Sequence, residues 1–287
     1  MTLEVMKAGV ASTVQDMGRP GFGAYGVPEG GAMDRSALAA ANTLIGNPPG
    51  LPAIEFALHG PRLCWRGTGR IDCAVMTEEP RRVTLVSGGD LPSAAVHERN
   101  YGYIAVAGGI AVPRVLGGRG TCLPGRFGGH EGRELRIGDM LMVGMGAGVA
   151  RSRGVGGSAA TAAEATAVAR ERRPQRHGIR SVRVLPGDRP TARRADFQAL
   201  LDGRWQATSG NRVGLRLEGP RLSAEPLGLS QPVPPGAIQV TGSGQPIVLL
   251  RDHPTVGGYP VVAVVVAEDL DLIAQGRTGD RVIFVRA

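Results

Sequence analysis

Two short stretches gather side chains able to do acid–base or anion-binding chemistry. The first is Thr13-Val14-Gln15-Asp16-Met17-Gly18-Arg19-Pro20-Gly21, where Gly and Pro preclude regular structure while Asp, Gln and Arg are concentrated. Arg19 offers a planar fork for a carboxylate or phosphate, and Asp16 is placed to orient that fork or to take a proton. The same two residues would also serve as an Asp–Arg pair stapling an ordered loop. The second stretch is Arg251-Asp252-His253-Pro254-Thr255, followed by Gly257-Gly258-Tyr259-Pro260. An apolar run, Ile247–Leu250, delivers Asp252, His253 and Thr255 to a glycine-flanked turn. Glycines admit a ligand close to backbone N–H groups, and an Asp–His couple supplies acid–base capacity near neutral pH. The competing reading is a tight connection whose Asp and His bond only the backbone.

Two further motifs carry arginine. In Gly210-Asn211-Arg212-Val213-Gly214-Leu215-Arg216 the arginines stand four apart at the start of a strand, so side-chain alternation predicts that both face one side. Gly117-Gly118-Arg119-Gly120-Thr121 is too glycine-rich for a core element and reads as an anion nest or a flexible turn. His59, His97, His130 and His177 have no partners at ligand spacing. The three cysteines, Cys64, Cys73 and Cys122, form no Cys-x-x-Cys pair, so neither a zinc site nor a disulfide framework is expected.

Composition removes several functions. Lys7 is the only lysine among 33 basic residues, and it lies in Met6-Lys7-Ala8. A phosphate loop of the Gly-Lys-Ser/Thr type is therefore absent, and no lysine stands where covalent biotin would be carried. The net charge of +8 suggests nucleic acid until it is mapped: residues 151–194 hold the whole excess, without a single aromatic residue to stack on bases. A solvated basic linker is the expectation there, with no nucleic-acid partner. The longest apolar run, about Val261–Ala267, is far below the roughly 18 residues that cross a bilayer, and the N-terminus lacks the apolar core of a signal peptide. The chain reads as soluble and cytoplasmic.

The elements that must position these motifs are mostly strands. The 45 glycines and 21 prolines punctuate short Val/Ile/Leu runs without any Gly-X-Y period. Strands are predicted over Val83–Ser87, Ser181–Leu185, Val213–Leu217, Ala237–Val240 and Pro260–Ala267, the last apolar on both faces and so central. Helices are few: Asp34 can cap Arg35–Ile45, and short helices are predicted over Asp196–Asp202 and Glu268–Gln275. Residues 146–178, rich in Gly, Ala, Ser and Arg with no apolar stripe, read as a linker between a domain over 1–145 and another over 179–287. The two parts end alike, in Arg136-Ile137-Gly138-Asp139 and Arg277-Thr278-Gly279-Asp280, each followed by an apolar strand. That pattern favours two similar β-domains.

Several motifs together resemble the carboxyltransferase-domain family, which includes the C-type subunit of 5-oxoprolinase, the second subunit of allophanate-hydrolase-type proteins and the carboxyltransferase domain of urea carboxylase. They are Thr13-Val14-Gln15-Asp16-x-Gly18-Arg19, Gly26-Val27-Pro28-x-x-Gly31-Ala32-Met33-Asp34 and Ala41-Asn42-x-Leu44-x-Gly46-Asn47, with Glu55, Gly60-Pro61 and Ala105-Val106-Ala107-Gly108-Gly109-Ile110. In the second half they are Gly236-Ala237-Ile238-Gln239, Gly244-Gln245-Pro246-Ile247-Val248-Leu249, Gly257-Gly258-Tyr259-Pro260 and Gln275-x-x-x-Gly279-Asp280. The resemblance implies a mainly β chain of two tandem cyclophilin-like β-barrel domains with a few short helices. It also implies obligate partners: a kinase-inhibitor-like B-type subunit and, for an oxoprolinase, an A-type subunit.

The length and motif wording are most similar to the C-type subunit, which works with its partners in the ATP-dependent opening of 5-oxoproline to glutamate. On that reading Asp16, Asp252 and His253 are the catalytic groups. Arg19, Arg119, Asn211, Arg212, Thr255, Gly257, Gly258 and Tyr259 are the substrate contacts. ATP, with Mg, is expected at or near a subunit interface. Removing Arg212 or Asp252 is expected to abolish turnover and spare the fold. The chain departs from the family at Gly118-Arg119-Gly120-Thr121, where Ser-Arg-Ser-Thr is usual, at Gly210-Asn211-Arg212, where Ser-Asp-Arg is frequent, and at Thr77-Glu78-Glu79, where the family has Gly-Ala. Two other functions fit the same resemblance: carboxyl transfer to urea or a similar amide with a separate biotin carrier, and non-catalytic regulation through the B-type partner.

Overall fold

The computed structural model describes residues 1–144, 179–187, 194–223 and 228–287. The expected linker over 146–178 lies outside the described residues, as does most of the basic stretch. The chain divides into two compact units, Met1–Arg19 with Gly30–Arg173, and Pro20–Glu29 with Pro174–Ala287. The short segment Pro20–Glu29 thus groups with the second unit although it is embedded in the sequence of the first.

The first unit contains β1 (Thr2–Lys7), β2 (Val10–Gln15), β3 (Ala53–Ala57), β4 (Arg62–Trp65), β5 (Arg70–Met76), β6 (Arg81–Val86), β7 (Asp90–Leu91), β8 (Tyr101–Val106) and β9 (Met140–Met142). They form a five-stranded sheet in the order β2-β3-β8-β5-β6 and a four-stranded sheet in the order β7-β4-β1-β9. The two sheets share one core, with Leu3 and Val5 of β1 and Leu63 and Trp65 of β4 on one side. Ile54 and Phe56 of β3, Val75 of β5 and Ile104 of β8 lie on the other. The alternation of apolar and polar residues along β1 fits a strand buried on one face. The first helix, α1 (Arg35–Leu44), starts as expected: the Asp34 carboxylate accepts the Ala37 N–H at 2.8 Å. Its Ala/Leu face packs on β8 and β5.

The second unit contains β10 (Ile179–Pro186), β11 (Trp205–Gly210), β12 (Gly214–Glu218), β13 (Gln231–Pro232), β14 (Ala237–Val240), β15 (Pro246–Leu249), β16 (Val256–Gly257), β17 (Val261–Val265) and β18 (Arg281–Arg286). Seven of them close a barrel in the order β10-β17-β14-β15-β12-β11-β18, while β13 and β16 pair separately. Neighbouring barrel strands are antiparallel except β10 and β18, which run parallel from Ile179↔Arg281 to Val184↔Arg286. Closure leaves no unpaired sheet edge. The apolar run predicted to be a central strand is β17, hydrogen-bonded to β10 on one side and β14 on the other. Val182, Trp205, Leu215, Ile238, Val262 and Phe284 are among the unit's buried residues. Among the described residues this unit has the helices α2 (Arg194–Asp202) and α3 (Leu270–Ala274), with one 3-10 turn over Gly23–Tyr25 and another over Ala267–Asp269 leading into α3. The architecture is mainly β with few short helices.

Candidate functional site

Asp16, Arg19 and Arg119 belong to the first unit. Asp16 follows β2 directly, and its buried carboxylate is held by backbone donors: Oδ1 accepts the Gly18 N–H at 2.8 Å and Oδ2 the Arg119 N–H at 2.6 Å. This carboxylate ties the Asp16–Gly18 turn to the glycine-rich turn 117–120. Asp16 does not pair with Arg19. The Arg19 side chain is fully buried, with Nε donating to the Val115 carbonyl at 3.4 Å and Nη2 to the Gly120 carbonyl. Its guanidinium lies 4.9 Å from the centre of the Phe127 ring, and Nη1 has no hydrogen-bond partner among the described residues. A cation so enclosed is not offered to a ligand in solution, so the geometry gives Arg19 the part of a loop staple rather than a substrate fork.

Arg119 is half-buried, and its Nη1 donates to the Val112 carbonyl. The glycine at 120 is required by close approach. A Cβ there would stand 2.7 Å from Gln15 Oε1 and 2.9 Å from Asp16 Oδ1, inside contact distance. The serine usual in the family therefore needs a wider gap than these two turns leave.

The other eight residues lie in the second unit. Arg212 and Asp252 are both buried and form a bidentate ion pair, Nε to Oδ2 at 2.7 Å and Nη2 to Oδ1 at 3.0 Å. The Asp252 N–H also donates to the Arg212 carbonyl at 2.9 Å. Removing Arg212 strips the buried Asp252 carboxylate of its cation, and removing Asp252 strips the buried Arg212 of its bidentate partner, each at a cost of about 3–5 kcal/mol. The expectation that Arg212→Ala or Asp252→Ala spares the fold is corrected accordingly. Arg212 and Arg216 do not share a face either, since Arg212 is buried and Arg216 exposed. Strand alternation starts only at Gly214. Asn211 is exposed, and its Oδ1 accepts the N–H groups of Val213 and Gly214 at 2.8 and 3.2 Å, a side-chain turn that reverses the chain before β12.

His253 is buried beside Asp252. Its Nδ1 lies 2.8 Å from the Pro254 carbonyl, which can only accept, so Nδ1 carries the proton and Nε2 the lone pair. Burial pushes the His253 pKa below the usual histidine value, which keeps the ring neutral near pH 7. Thr255 is half-buried, and its carbonyl accepts the Val233 N–H at 2.9 Å. Gly257 pairs with Gln231 across β13 and β16, and Tyr259 is 43% exposed. The structure thus brings Arg212, Asp252 and His253 into one buried cluster, with the Gly257-Gly258-Tyr259 turn downstream of it.

Sequence reasoning gave no role to three polar groups. Gln239, on buried β14, donates from Nε2 to the Tyr259 carbonyl at 3.4 Å, and a Cβ on Gly257 would stand 2.4 Å from that same Nε2. Its signal was a lone amide in an apolar strand. Glu55, alone among apolar residues in β3, accepts the Met33 N–H and the Tyr103 hydroxyl, both at 2.7 Å. Burial drives the Tyr103 pKa well above its ordinary value. Glu78 Oε1 accepts three successive N–H groups, His97, Glu98 and Arg99, at 2.9, 2.8 and 3.1 Å. Burial alone would raise its pKa, yet the backbone donors hold it below the usual carboxylate value.

Residues 25–286 match the family described as carboxyltransferase domain, subdomain A and B. The chain is 34% identical over 298 residues to the C-type subunit of 5-oxoprolinase from Escherichia coli (strain K12), covering 99% of this chain and 91% of that protein. It is 30% identical over 308 residues to urea amidolyase of Lachancea kluyveri, covering 98% of this chain and 17% of that protein. Among solved structures, Kluyveromyces lactis urea carboxylase superposes with a TM-score of 0.84 at 27% identity, over 99% of this chain and 27% of that one.

Proposed function

The chain belongs to the carboxyltransferase-domain family, and from that premise we propose that it is the C-type component of an ATP-dependent 5-oxoprolinase, which opens 5-oxo-L-proline to L-glutamate together with A-type and B-type partner subunits. The observation that carries this reading is the likeness to the E. coli protein, which runs over nearly the full length of both chains. On this reading His253 of the second unit is the base, and because it is buried in this chain the lactam and water reach it only in the assembled complex. The ring is neutral, and its basic Nε2 has no hydrogen bond among the described residues. With the lactam oxygen phosphorylated at the expense of ATP, one water would add to the activated carbon as Nε2 takes its proton. The C–N bond would then break as the imidazolium returns the proton to the departing nitrogen, leaving an acyl phosphate that a second water hydrolyses to the carboxylate and phosphate. The Arg212–Asp252 pair fixes the backbone from which His253 projects, so Asp252 acts as a positioning residue.

On this reading ATP does not rest on Arg19 or Arg212 alone. Arg19 is enclosed by carbonyls and Phe127, and Arg212 is neutralised by Asp252. Among the described residues no group of three His, Cys, Asp or Glu side chains is placed to hold a metal ion. The proposal keeps ATP, with its Mg, at or near a subunit interface.

Carboxyl transfer to urea or a similar amide is the second reading, favoured by the likeness to urea amidolyase and urea carboxylase, and it needs a biotin carrier on another chain. Co-expression with A-type and B-type homologues, followed by an amide screen, separates the readings. ATP hydrolysis stimulated by 5-oxoproline supports the first, and biotin-dependent turnover of urea supports the second. Loss of partner regulation without turnover of any amide would leave a non-catalytic regulator.

A further inference from the structure

The first unit holds a cleft of about 540 Å³ between residues 110–115, the loop 126–132 and β9. That lies within the range of about 300–1,000 Å³ typical of small-molecule sites. Its walls are apolar: Ile110, Val112, Val115, Phe127 and Leu141, with the exposed side chains of Met140 and Met142 at the rim. Thioether side chains adapt their shape to a bound apolar group.

The loop that closes this cleft is strained. Arg126, Gly128, Gly129, Glu131 and Gly132 all have positive φ, and for Arg126 (φ 53°) and Glu131 (φ 55°) that conformation is costly. Strain of this kind persists where the surroundings over-determine it, and it gathers at ligand sites. The charges on the cleft are also uneven. Glu131 is neutralised by Arg133 at 2.7 Å, and His130 Nε2 lies 3.4 Å from Asp139, whereas the exposed Arg126 has no ion-pair partner among the described residues. Behind the Phe127 ring stands the buried Arg19 guanidinium. The peptide N–H groups of His130 and Glu131, next to the left-handed residues, have no acceptor among the described residues.

We propose that this cleft binds an acyl-chain carboxylate, with the chain against Val112, Val115 and Phe127 and the carboxylate at Arg126. The proposal concerns the first unit alone and is independent of the reaction proposed above. Calorimetric titration of the full chain with octanoate, and with octanamide as its neutral counterpart, is the test. Octanoate is expected to bind saturably at one site, with octanamide at least tenfold weaker. Arg126→Gly should weaken octanoate at least tenfold while leaving the melting temperature equal or higher, because glycine adopts φ 53° without strain. Ala111→Phe, which fills the cleft from its rim, should abolish binding. Absence of saturable octanoate binding would overturn the proposal. So would equal affinity for the amide, equal affinity in Arg126→Gly, or binding that survives Ala111→Phe.

Discussion

The turn at Arg136–Asp139 in the first unit and the turn at Arg277–Asp280 in the second are the same piece of structure, filled in differently. Gly138 and Gly279 adopt φ 89° and 92°. Gly138 donates to the Val5 carbonyl at 2.8 Å and Val5 to the Asp139 carbonyl at 2.9 Å. In the second unit Gly279 donates to Ala207 at 2.7 Å and Ala207 to Asp280 at 2.8 Å. Each aspartate caps its own turn, accepting the Arg136 N–H at 2.7 Å or the Arg277 N–H at 3.0 Å.

What differs is the cation. Asp139 takes Arg133, six residues upstream and 23% exposed, with His130 beside it. Asp280 takes Arg180, one hundred residues away on β10, buried and also bonded to the Leu272 and Gln275 carbonyls at the end of α3. Four residues of local sequence are enough to make the turn. Whether its carboxylate takes a partly exposed arginine or a buried one depends on what the rest of the unit brings to it.

The largest effect should come from the buried anchor. Arg180→Ala leaves Asp280 charged and enclosed, and should cost about 3–5 kcal/mol in denaturant unfolding. Arg133→Ala, at the half-exposed equivalent, should cost only about 0.5–1 kcal/mol. Equal costs would show that the burial of the arginine does not set the strength of the pair. A smaller and symmetric effect is expected from Gly138→Ala and Gly279→Ala. No atom lies within 4 Å of a Cβ at either position, so only the left-handed backbone is penalised, by about 1 kcal/mol at each. A difference well beyond about 0.5 kcal/mol between them, roughly the scatter of such measurements, would break the equivalence of the turns.

The first turn also carries a pH dependence. The hydrogen bond from Arg133 holds the Asp139 pKa at about 2, against an ordinary 3.8. A carboxylate depressed in the folded state stabilises above its unfolded pKa, and that contribution is lost as pH falls from about 4 to about 2. Asp139→Asn should flatten this limb of the urea midpoint, and an unchanged limb would contradict the assignment.

Locally encoded features were legible in the sequence. Asp34 capping α1, the Gly-Asp turns and the fully covered strand β17 each follow from neighbouring residues, and the structure has them. Features depending on distant partners were not. Asp16 and Arg19 look like a pair because they are three apart, but each is captured by loop 115–120, about a hundred residues on. Arg212 and Arg216 look alike because alternation was extended across a side-chain turn at Asn211 that ends it. Asp252, forty residues away, decides where Arg212 points. The grouping of Pro20–Glu29 with the second unit likewise has no local signature.

The role of His253 has its own readout. Because burial lowers its pKa, the acid limb of the kcat/KM profile for 5-oxoproline should fall below pH 6.5 rather than at it, and His253→Gln should remove that limb. Persistence of the limb in the variant would assign the base elsewhere.

The most direct measurement is an omission assay. The A-type and B-type homologues are purified with and without this chain, and glutamate formed from 5-oxoproline and ATP is followed. Glutamate is expected only when all three are combined, with none from this chain alone. Full activity from the two homologues without it, or from this chain by itself, would contradict its assignment as an obligate component of a 5-oxoprolinase.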